Sequence, residues 1–245
     1  MTDSHPAKKA IVAPGKSPMS APIIAIDGPA GAGKSTIARH LARHFGLLNL
    51  ETGAMYRAFA LKALRADIPL DHGEALAALA AQTSIGLEAG DQENRVFLDG
   101  QDVTALLRTQ AVTDAASKVS VFPAIRTWMV RLQQQMGASG GVVMEGRDIG
   151  TVVFPHAKVK IFLDAAPEVR GLRRFDQLGP TTTAQPDEVI RELRERDARD
   201  RNRADSPLKP AADAVILDST TMTLEEAVQR AEAIVEQRLR TPTVS

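Results

Sequence analysis

Glycine, lysine and hydroxyl residues stand at fixed spacing in the stretch IDGPAGAGKSTIARH, residues 26–40. Gly28, Gly33, Lys34 and Ser35 match the pattern G-x-x-x-x-G-K-[ST], directly after an apolar run and directly before a helical pattern. In such a loop, successive backbone N–H groups converge on an anion, and glycine permits their approach because it has no side chain. The stretch therefore predicts a site for the phosphates of a nucleotide.

Side chains in the same loop add to what the backbone offers. Lys34 can reach the β- and γ-phosphates of a triphosphate, and the hydroxyl of Ser35 or Thr36 can bind Mg²⁺. The free N–H groups at the start of the following helix add partial positive charge. The residues expected to surround the triphosphate are Gly28, Pro29, Ala30, Gly31, Ala32, Gly33, Lys34, Ser35 and Thr36.

The loop alone does not identify a second substrate, because motors, GTPases and small-molecule kinases all use it. The protein-kinase signatures H-R-D and D-F-G are absent from the sequence, which favours a small acceptor over a protein. Arginine placement then becomes informative, since a guanidinium group pairs with two oxygens of a phosphate. The candidates are Arg57 in ETGAMYRAF, Arg126 in FPAIRTW, and Arg147 beside Asp148 in VVMEGRDIG.

Residues just past the carboxyl ends of parallel strands face the ligand crevice of a doubly wound sheet, which favours a binding role for Arg147 and Asp148. A local turn salt bridge is the alternative for this pair. The later stretch RELRERDARDRNR is typical of a solvated helix. However, Arg196, Asp200 and Arg203 share one helical face, where a carboxylate can accept from an exocyclic amine such as N4 of cytosine.

Five short apolar runs predict the strands that position these side chains. They are residues 23–26, 47–50, 142–144, 159–163 and 214–217. Strands this short and continuously apolar are buried on both faces, so we expect an α/β fold with a parallel five-stranded sheet and helices on both faces. Thr223 and Glu226 form a capping box before the last helical pattern.

The rhythm changes between residues 82 and 141, where apolar and polar residues alternate around an Asp99-Gly100 turn signal and helical patterns follow. We interpret 82–141 as an insertion in a core made of residues 21–81 and 142–245. Residues 170–203, which a Gly179-Pro180 break interrupts, are predicted to be a mobile piece of that core. Residues 1–20 are predicted to be a flexible tail.

Composition excludes several classes of function. The 245 residues carry 30 basic and 30 acidic side chains, so no global field favours nucleic acid or an anionic membrane. The chain has no cysteine and no apolar run near the roughly 20 residues that span a bilayer. We therefore expect a cytoplasmic protein without nucleic-acid or membrane partners.

Several motifs in order resemble those of bacterial cytidylate kinases, from about Ile23 to Leu239. They are IDGPAGAGKST, TGAMYR, EGRDIGTVVFPHAKVKIFLDA and RDARDRNRADSPLKPAADAVILDST, together with the long insertion, which the family uses as its monophosphate-binding domain. The resemblance implies phosphorylation of CMP or dCMP to CDP or dCDP by ATP and Mg²⁺, in a monomer. One departure is Glu51, where family members commonly have Asp.

The resemblance also implies roles for individual residues. Lys34, Arg147 and Arg203 would be catalytic. The acceptor would contact Thr52 and Arg57, its phosphate would bind Arg126, Arg147 and Arg203, and its cytosine and sugar would bind Ser117, Asp148, Arg196 and Asp200. Arg170 and Arg173 would belong to the mobile lid over ATP.

No general base is expected, because a monophosphate with a second pKa of about 6 is already an anionic nucleophile near neutral pH. His40 and His44, spaced i and i+4, are interpreted as an exposed helix face, since no third metal ligand lies nearby in the sequence. Two alternatives stay open: a P-loop kinase for another monophosphate or small metabolite, and a nucleotide-dependent module in which residues 191–203 bind nucleic acid.

Overall fold

The computed structural model of the chain describes residues 21–88, 90, 94–179 and 184–241. The predicted tail, residues 1–20, lies outside the described residues, and so do residues 180–183 of the predicted break. In chain order the elements are β1 (Ala21–Asp27), α1 (Lys34–Phe45), β2 (Leu48–Glu51), α2 (Thr52–Arg65), α3 (Gly73–Ala81), β3 (Ile85–Glu88), β4 (Arg95–Leu98), β5 (Gln101–Asp102), α4 (Gln110–Val119), α5 (Pro123–Met136), β6 (Gly140–Gly146), β7 (Val159–Asp164), α6 (Pro167–Leu178), α7 (Pro186–Asn202), β8 (Val215–Asp218) and α8 (Leu224–Arg240).

The central sheet has five parallel strands in the order β2-β6-β1-β7-β8, which confirms the predicted α/β fold. Each apolar run of the sequence corresponds to one of these strands, although the runs at 47–50 and 214–217 begin one residue before β2 and β8. The strand that leads into the phosphate-binding loop, β1, is central, and Asp27 at its end pairs with Gly146 of β6 and with Phe162 of β7. The carboxyl ends of β1, β6 and β7 therefore meet at one edge of the sheet.

Helices cover both faces of this sheet. On one face, α1 and α8 pack on β1 and β7, with Leu41 and Val235 both fully buried. On the other face, Met144 of β6 packs against Ile149 and Val153, which belong to a π-helical turn over Ile149–Val153. The predicted capping box starts α8, since the Thr223 hydroxyl accepts from the amide of Glu226.

A second sheet, β3-β4-β5, is antiparallel, as the alternating pattern predicted. Asp99 and Gly100 form the turn between β4 and β5, both with positive φ (50° and 82°). This sheet shares one apolar core with helices α2 to α5, whose buried members include Phe59, Leu76 and Met129. Residues 82–141 are thus packed on α2 and α3, which precede them in the chain. That these residues form an insertion with those boundaries stays a prediction.

Helices α6 and α7 lie over the phosphate-binding loop. Val189 and Leu193 of α7 are buried against Ala30 of the loop. The two helices touch closely at Gly171, where an added Cβ would lie 2.2 Å from Cγ1 of Ile190. This pair covers most of the segment predicted to be a lid, and its mobility stays a prediction.

Candidate active site

The phosphate-binding loop connects β1 to α1 as the sequence predicted. Gly28 has a φ of 148°, and a Cβ there would lie 1.9 Å from the carbonyl oxygen of Leu163, so a larger residue would displace the neighbouring strand. Gly33, with a φ of 93°, is the N-cap of α1. Glycine is needed at both positions for the loop to turn back onto the helix N-terminus.

Lys34 is buried at the first position of α1, and its Nζ donates to the carbonyl oxygen of Pro29 at 2.6 Å. Burial, and next the positive charge of Arg147, lowers the pKa of Lys34 to about 7. A phosphate anion beside the ammonium group would reverse this effect, because an opposite charge favours the charged form. The loop thus presents a buried amine whose charged form an anionic ligand would stabilise.

Two buried carboxylates lie beside this loop, and the sequence analysis missed both. Asp27, at the end of β1, accepts from the amides of Ile149 and Gly150 at 2.8 and 2.7 Å. Burial raises its pKa to about 6 despite these donors. Glu145, in β6, has its pKa raised to about 7 by burial and next by the charge of Glu51. Both acids end or nearly end apolar strands, which is the only signal of their position that the sequence contains.

The oxygen ligands in this region suit a magnesium ion. Ser35 hydrogen-bonds to the Glu145 carboxyl group, whose Oε1 is buried with no partner among the described residues. Thr36, the other predicted hydroxyl, is exposed. Mg²⁺ prefers hard oxygen ligands and usually keeps several waters, so one hydroxyl and a nearby carboxylate fit its chemistry.

Behind the loop, charged side chains from the end of β6 and from α7 meet. Arg147, which follows β6, donates from Nε to Oδ2 of Asp200 in α7 at 2.9 Å. Burial alone would raise the pKa of Asp200, but the charges of Arg147, Arg196 and Arg203 outweigh it and lower that pKa. The carboxylate is therefore ionised at neutral pH. Arg203 lies just past the end of α7, as its C-cap, with Nη1 3.6 Å from Asp200.

A second buried ion pair joins α5 to the end of β6. Arg126 donates to Oδ2 of Asp148 at 2.5 Å, and the two side chains are 3% and 7% exposed. The same guanidinium group lies 5.9 Å from the ring centre of Tyr56. The turn salt bridge considered for Arg147 and Asp148 is not formed, since each of these residues pairs with a different partner.

Several donors in this region have no partner within the described part of the chain. The buried atoms are Arg57 Nε, Arg126 Nε, Arg196 Nε, Arg203 Nη2 and the hydroxyl of Tyr56. Burial, followed by the charge of Arg147, lowers the pKa of Arg196 to about 10. Unpaired buried donors are costly in a folded protein. Their concentration here indicates a pocket whose polar groups are completed by an anionic, hydrogen-bonding ligand.

The remaining predicted acceptor residues lie around this pocket. Thr52 donates to the Glu145 carbonyl oxygen at 2.7 Å, and the Arg57 guanidinium pairs with Glu51. Glu51, the departure from the family pattern, is thus the partner of a predicted site residue. Ser117 is buried in α4, and its hydroxyl accepts from Nε of Arg199 at 3.4 Å.

The two predicted lid arginines bind protein atoms. Arg170 is 2% exposed and donates to the carbonyl oxygens of Ala165 and Ala30 at 2.8 and 2.9 Å. It also pairs with Asp197 of α7 at 2.7 Å. Arg173 donates to Oγ and O of Ser219 at 3.1 and 2.8 Å. Arg170 therefore fastens α7 to the phosphate-binding loop.

A phosphate-binding loop on the central strand of a parallel sheet, facing a pocket of arginines and buried aspartates, defines a P-loop phosphotransferase with a charged acceptor. The family model for cytidylate kinase matches residues 24–237, and the chain belongs to the cytidylate kinase family.

Two relatives in this family span nearly the whole described chain. The cytidylate kinase of Pasteurella multocida is 45% identical over 218 residues, 89% of this chain and 96% of that protein. The cytidylate kinase of Pelotomaculum thermopropionicum is 51% identical over 212 residues, 86% of this chain and 94% of that protein. Among solved structures, a shikimate kinase from Acinetobacter baumannii in complex with shikimate aligns over 92% of this chain and 97% of its own, with 16% identity and a TM-score of 0.43.

Within the described ranges, no helix combines the length and the apolar character needed to cross a bilayer.

Proposed function

We propose that this protein transfers the γ-phosphoryl group of ATP to CMP or dCMP, giving ADP and CDP or dCDP. The observation that supports this best is the pocket of buried arginines with unpaired nitrogens, beside the carboxylates of Asp148 and Asp200 and next to the loop lysine. Cationic donors suit the acceptor's phosphate, and carboxylates suit the amino group of cytosine.

In this proposal the acceptor phosphate binds Arg126, Arg147 and Arg203. Asp200 and Asp148 accept hydrogen bonds from the base, and an arginine pairs with each of the two carboxylates. Arg196 and Ser117 complete the contacts with cytosine and sugar, while Thr52 and Arg57 approach the nucleotide from α2. Tyr56, whose buried hydroxyl has no partner among the described residues, joins this set as a residue that sequence reasoning missed.

The donor ATP binds residues 28–36, with its phosphates at the N-terminus of α1. Arg170 acts as a positioning residue: its bonds to Ala30 and Asp197 hold the loop against α7. Arg173 also lies on α6, and we propose that this helix brings it to ATP. Closure of α6 and α7 over both nucleotides would exclude water from the transferred group.

Mg²⁺ would be held through the Ser35 hydroxyl, with Glu145 beside it, and Thr36 is the alternative hydroxyl. When bound, the ion neutralises charge on the β- and γ-phosphates.

Transfer itself requires positioning and charge stabilisation rather than a base. An oxygen of the acceptor phosphate forms a bond to the γ-phosphorus of ATP as the bond to the β-γ bridging oxygen breaks, and ADP leaves. The acceptor oxygen carries no proton that must be removed. Lys34, Arg147 and Arg203 stabilise the charge on the transferred group, in a pocket where burial strengthens their effect.

The family favours this function over the two alternatives, a kinase for another acceptor and a nucleic-acid-binding module. In the proposal the enzyme works as a cytoplasmic monomer without nucleic-acid or membrane partners. These expectations rest on the sequence and family resemblance alone.

The test is coupled ADP production with ATP and Mg²⁺ against CMP, dCMP, UMP, AMP and GMP, and without acceptor. Fast turnover with CMP and dCMP and little ATP hydrolysis without acceptor is expected. Comparable turnover without acceptor would contradict the proposal, and activity confined to a purine monophosphate would replace it with the first alternative.

A further inference from the structure

Two histidines of α1 and a glutamate of α8 meet on the protein surface, away from the phosphate-binding loop. His40 Nε2 lies 2.6 Å and His44 Nδ1 lies 2.9 Å from the same oxygen, Oε1 of Glu232. All three donor atoms lie within 4.8 Å of one another. The predicted exposed helix face is confirmed for both histidines, and α8 supplies a third ligand that is distant in the sequence.

Helix packing determines this convergence. His40 and His44 are one helical turn apart on α1, so their rings point to the same side. Glu232 follows Ala231 of α8, and Ala231 is buried in the same apolar core as Leu41 of α1. The backbone that carries the three ligands is thus anchored in the protein core, while the side chains themselves are 44%, 45% and 22% exposed.

The ligand types discriminate between metals. Two imidazole nitrogens and one carboxylate oxygen form a set typical of Zn²⁺ and related divalent transition metals, with the remaining positions taken by water. Mg²⁺ prefers oxygen ligands alone, so the nucleotide's metal is a poor match for this cluster. The cluster also lies at least six helical residues beyond Lys34, about 9 Å along the axis of α1 at 1.5 Å per residue.

We propose that His40, His44 and Glu232 form a binding site for a divalent transition-metal ion such as Zn²⁺, which bridges α1 and α8. The ligands come from two helices that pack together only in the folded chain, so bound metal stabilises the native state. The site is independent of the proposed phosphotransfer reaction, because none of its residues belongs to the nucleotide pocket. Without metal, the same three groups form only a polar contact on the surface, which contributes little.

The first experiment is a Zn²⁺ titration of the full chain by calorimetry, with excess Mg²⁺ present to occupy oxygen-ligand sites. We expect one Zn²⁺ per chain and a rise in Tm with Zn²⁺. The double variant His40→Ala/His44→Ala should lose at least about 100-fold in affinity, because even groups that merely support a metal ligand are worth 10- to 100-fold. Glu232→Gln should weaken binding by about 10-fold or more.

His156→Ala is the matched control, since His156 is exposed and distant in sequence from the cluster; its Zn²⁺ affinity should equal that of the wild type. His5 of the N-terminal tail is present in every variant and contributes equally to all. Co²⁺ provides a second readout, because ligation by the two imidazoles changes its visible spectrum in the wild type and not in the double variant. Absence of Zn²⁺ uptake by the wild type, or equal uptake by the double variant, would overturn the proposal and leave only a polar surface contact.

Discussion

Nε of Arg147 lies 2.9 Å from Oδ2 of Asp200, which joins the residue that follows β6 to the inner face of α7. The two residues are 53 positions apart in the chain, and their pairing brings the proposed phosphate-binding and base-binding halves of the acceptor pocket into contact. Asp200 is buried yet ionised, because three arginines lower its pKa against the effect of burial. One carboxylate thus orients arginines and offers a charged acceptor to the ligand.

Asp200→Asn should reduce kcat/KM for CMP about 10- to 100-fold, because a hydrogen bond to a charged group contributes about 1.5–3 kcal/mol. The loss should be smaller for UMP, which has no exocyclic amino group, and the KM for ATP should change little. Steady-state kinetics with both acceptors gives the ratio. Glu195→Gln, an exposed site on the same helix, is the control. An unchanged ratio of CMP to UMP in Asp200→Asn would refute the base-reading role.

Lys34→Ala should lower kcat about 100- to 1,000-fold, the usual cost of removing one group that stabilises transition-state charge. The measurement is initial rate at saturating ATP and CMP, with folding checked by circular dichroism. Lys158→Ala is the comparison, since Lys158 precedes β7 and lies at the amino-terminal ends of the parallel strands, opposite the phosphate-binding loop. A residual rate within tenfold of the wild type would exclude Lys34 from the chemical step.

Two ion pairs join α6 to α7 and predict different effects on stability. Arg170→Met should lower the free energy of unfolding by about 3–5 kcal/mol, because it leaves Asp197 buried without its cation. Arg194→Met breaks the pair with Glu168, in which both side chains are more than half exposed, and should cost less than about 1 kcal/mol. Urea unfolding without nucleotide measures both. Equal losses would show that Arg170 does not fasten α7 to the loop.

Asp27 predicts a pH dependence of stability. Its pKa is about 6 in the folded chain and 3.8 when unperturbed, so between these values the folded state binds more protons than the unfolded state. The free energy of unfolding should therefore fall as pH rises from about 4 to 6, by a few kcal/mol, since one pKa unit corresponds to about 1.4 kcal/mol. Asp27→Asn should flatten this slope. It should also lower the free energy of unfolding by the same amount at every pH, because it weakens the hydrogen bonding to the amides of Ile149 and Gly150. The same slope in both proteins would contradict the assignment.

The strands and the phosphate-binding loop follow from local signals in the sequence. The run at residues 142–144 is apolar because β6 is buried on both faces, and Gly33-Lys34 starts α1 because glycine supplies its N-cap. The shared face of Arg196, Asp200 and Arg203 was also visible, although Arg203 lies one residue past the helix end.

Long-range contacts escaped the same reasoning. The contacts that bury Asp27 come from residues more than a hundred positions away in the chain, and Glu145 is buried in the same sheet. No local pattern in the sequence reveals that these two side chains are buried. Glu232 reaches His40 across 192 positions. Arg170 was predicted to belong to the lid over ATP, and its burial follows from the packing of α7 on the loop, which the local sequence does not reveal.

Competition in a single tube tests the central claim most directly. Equal concentrations of CMP, UMP, AMP and GMP are incubated with ATP, Mg²⁺ and the full chain, and the diphosphates formed are separated from ADP and quantified at early times, with dCMP in a parallel reaction. AMP phosphorylation is followed with labelled AMP, because its product is ADP. The account predicts that CDP forms fastest and that dCMP yields dCDP. Equal formation of all the diphosphates, or preferential formation of one other than CDP, would contradict it.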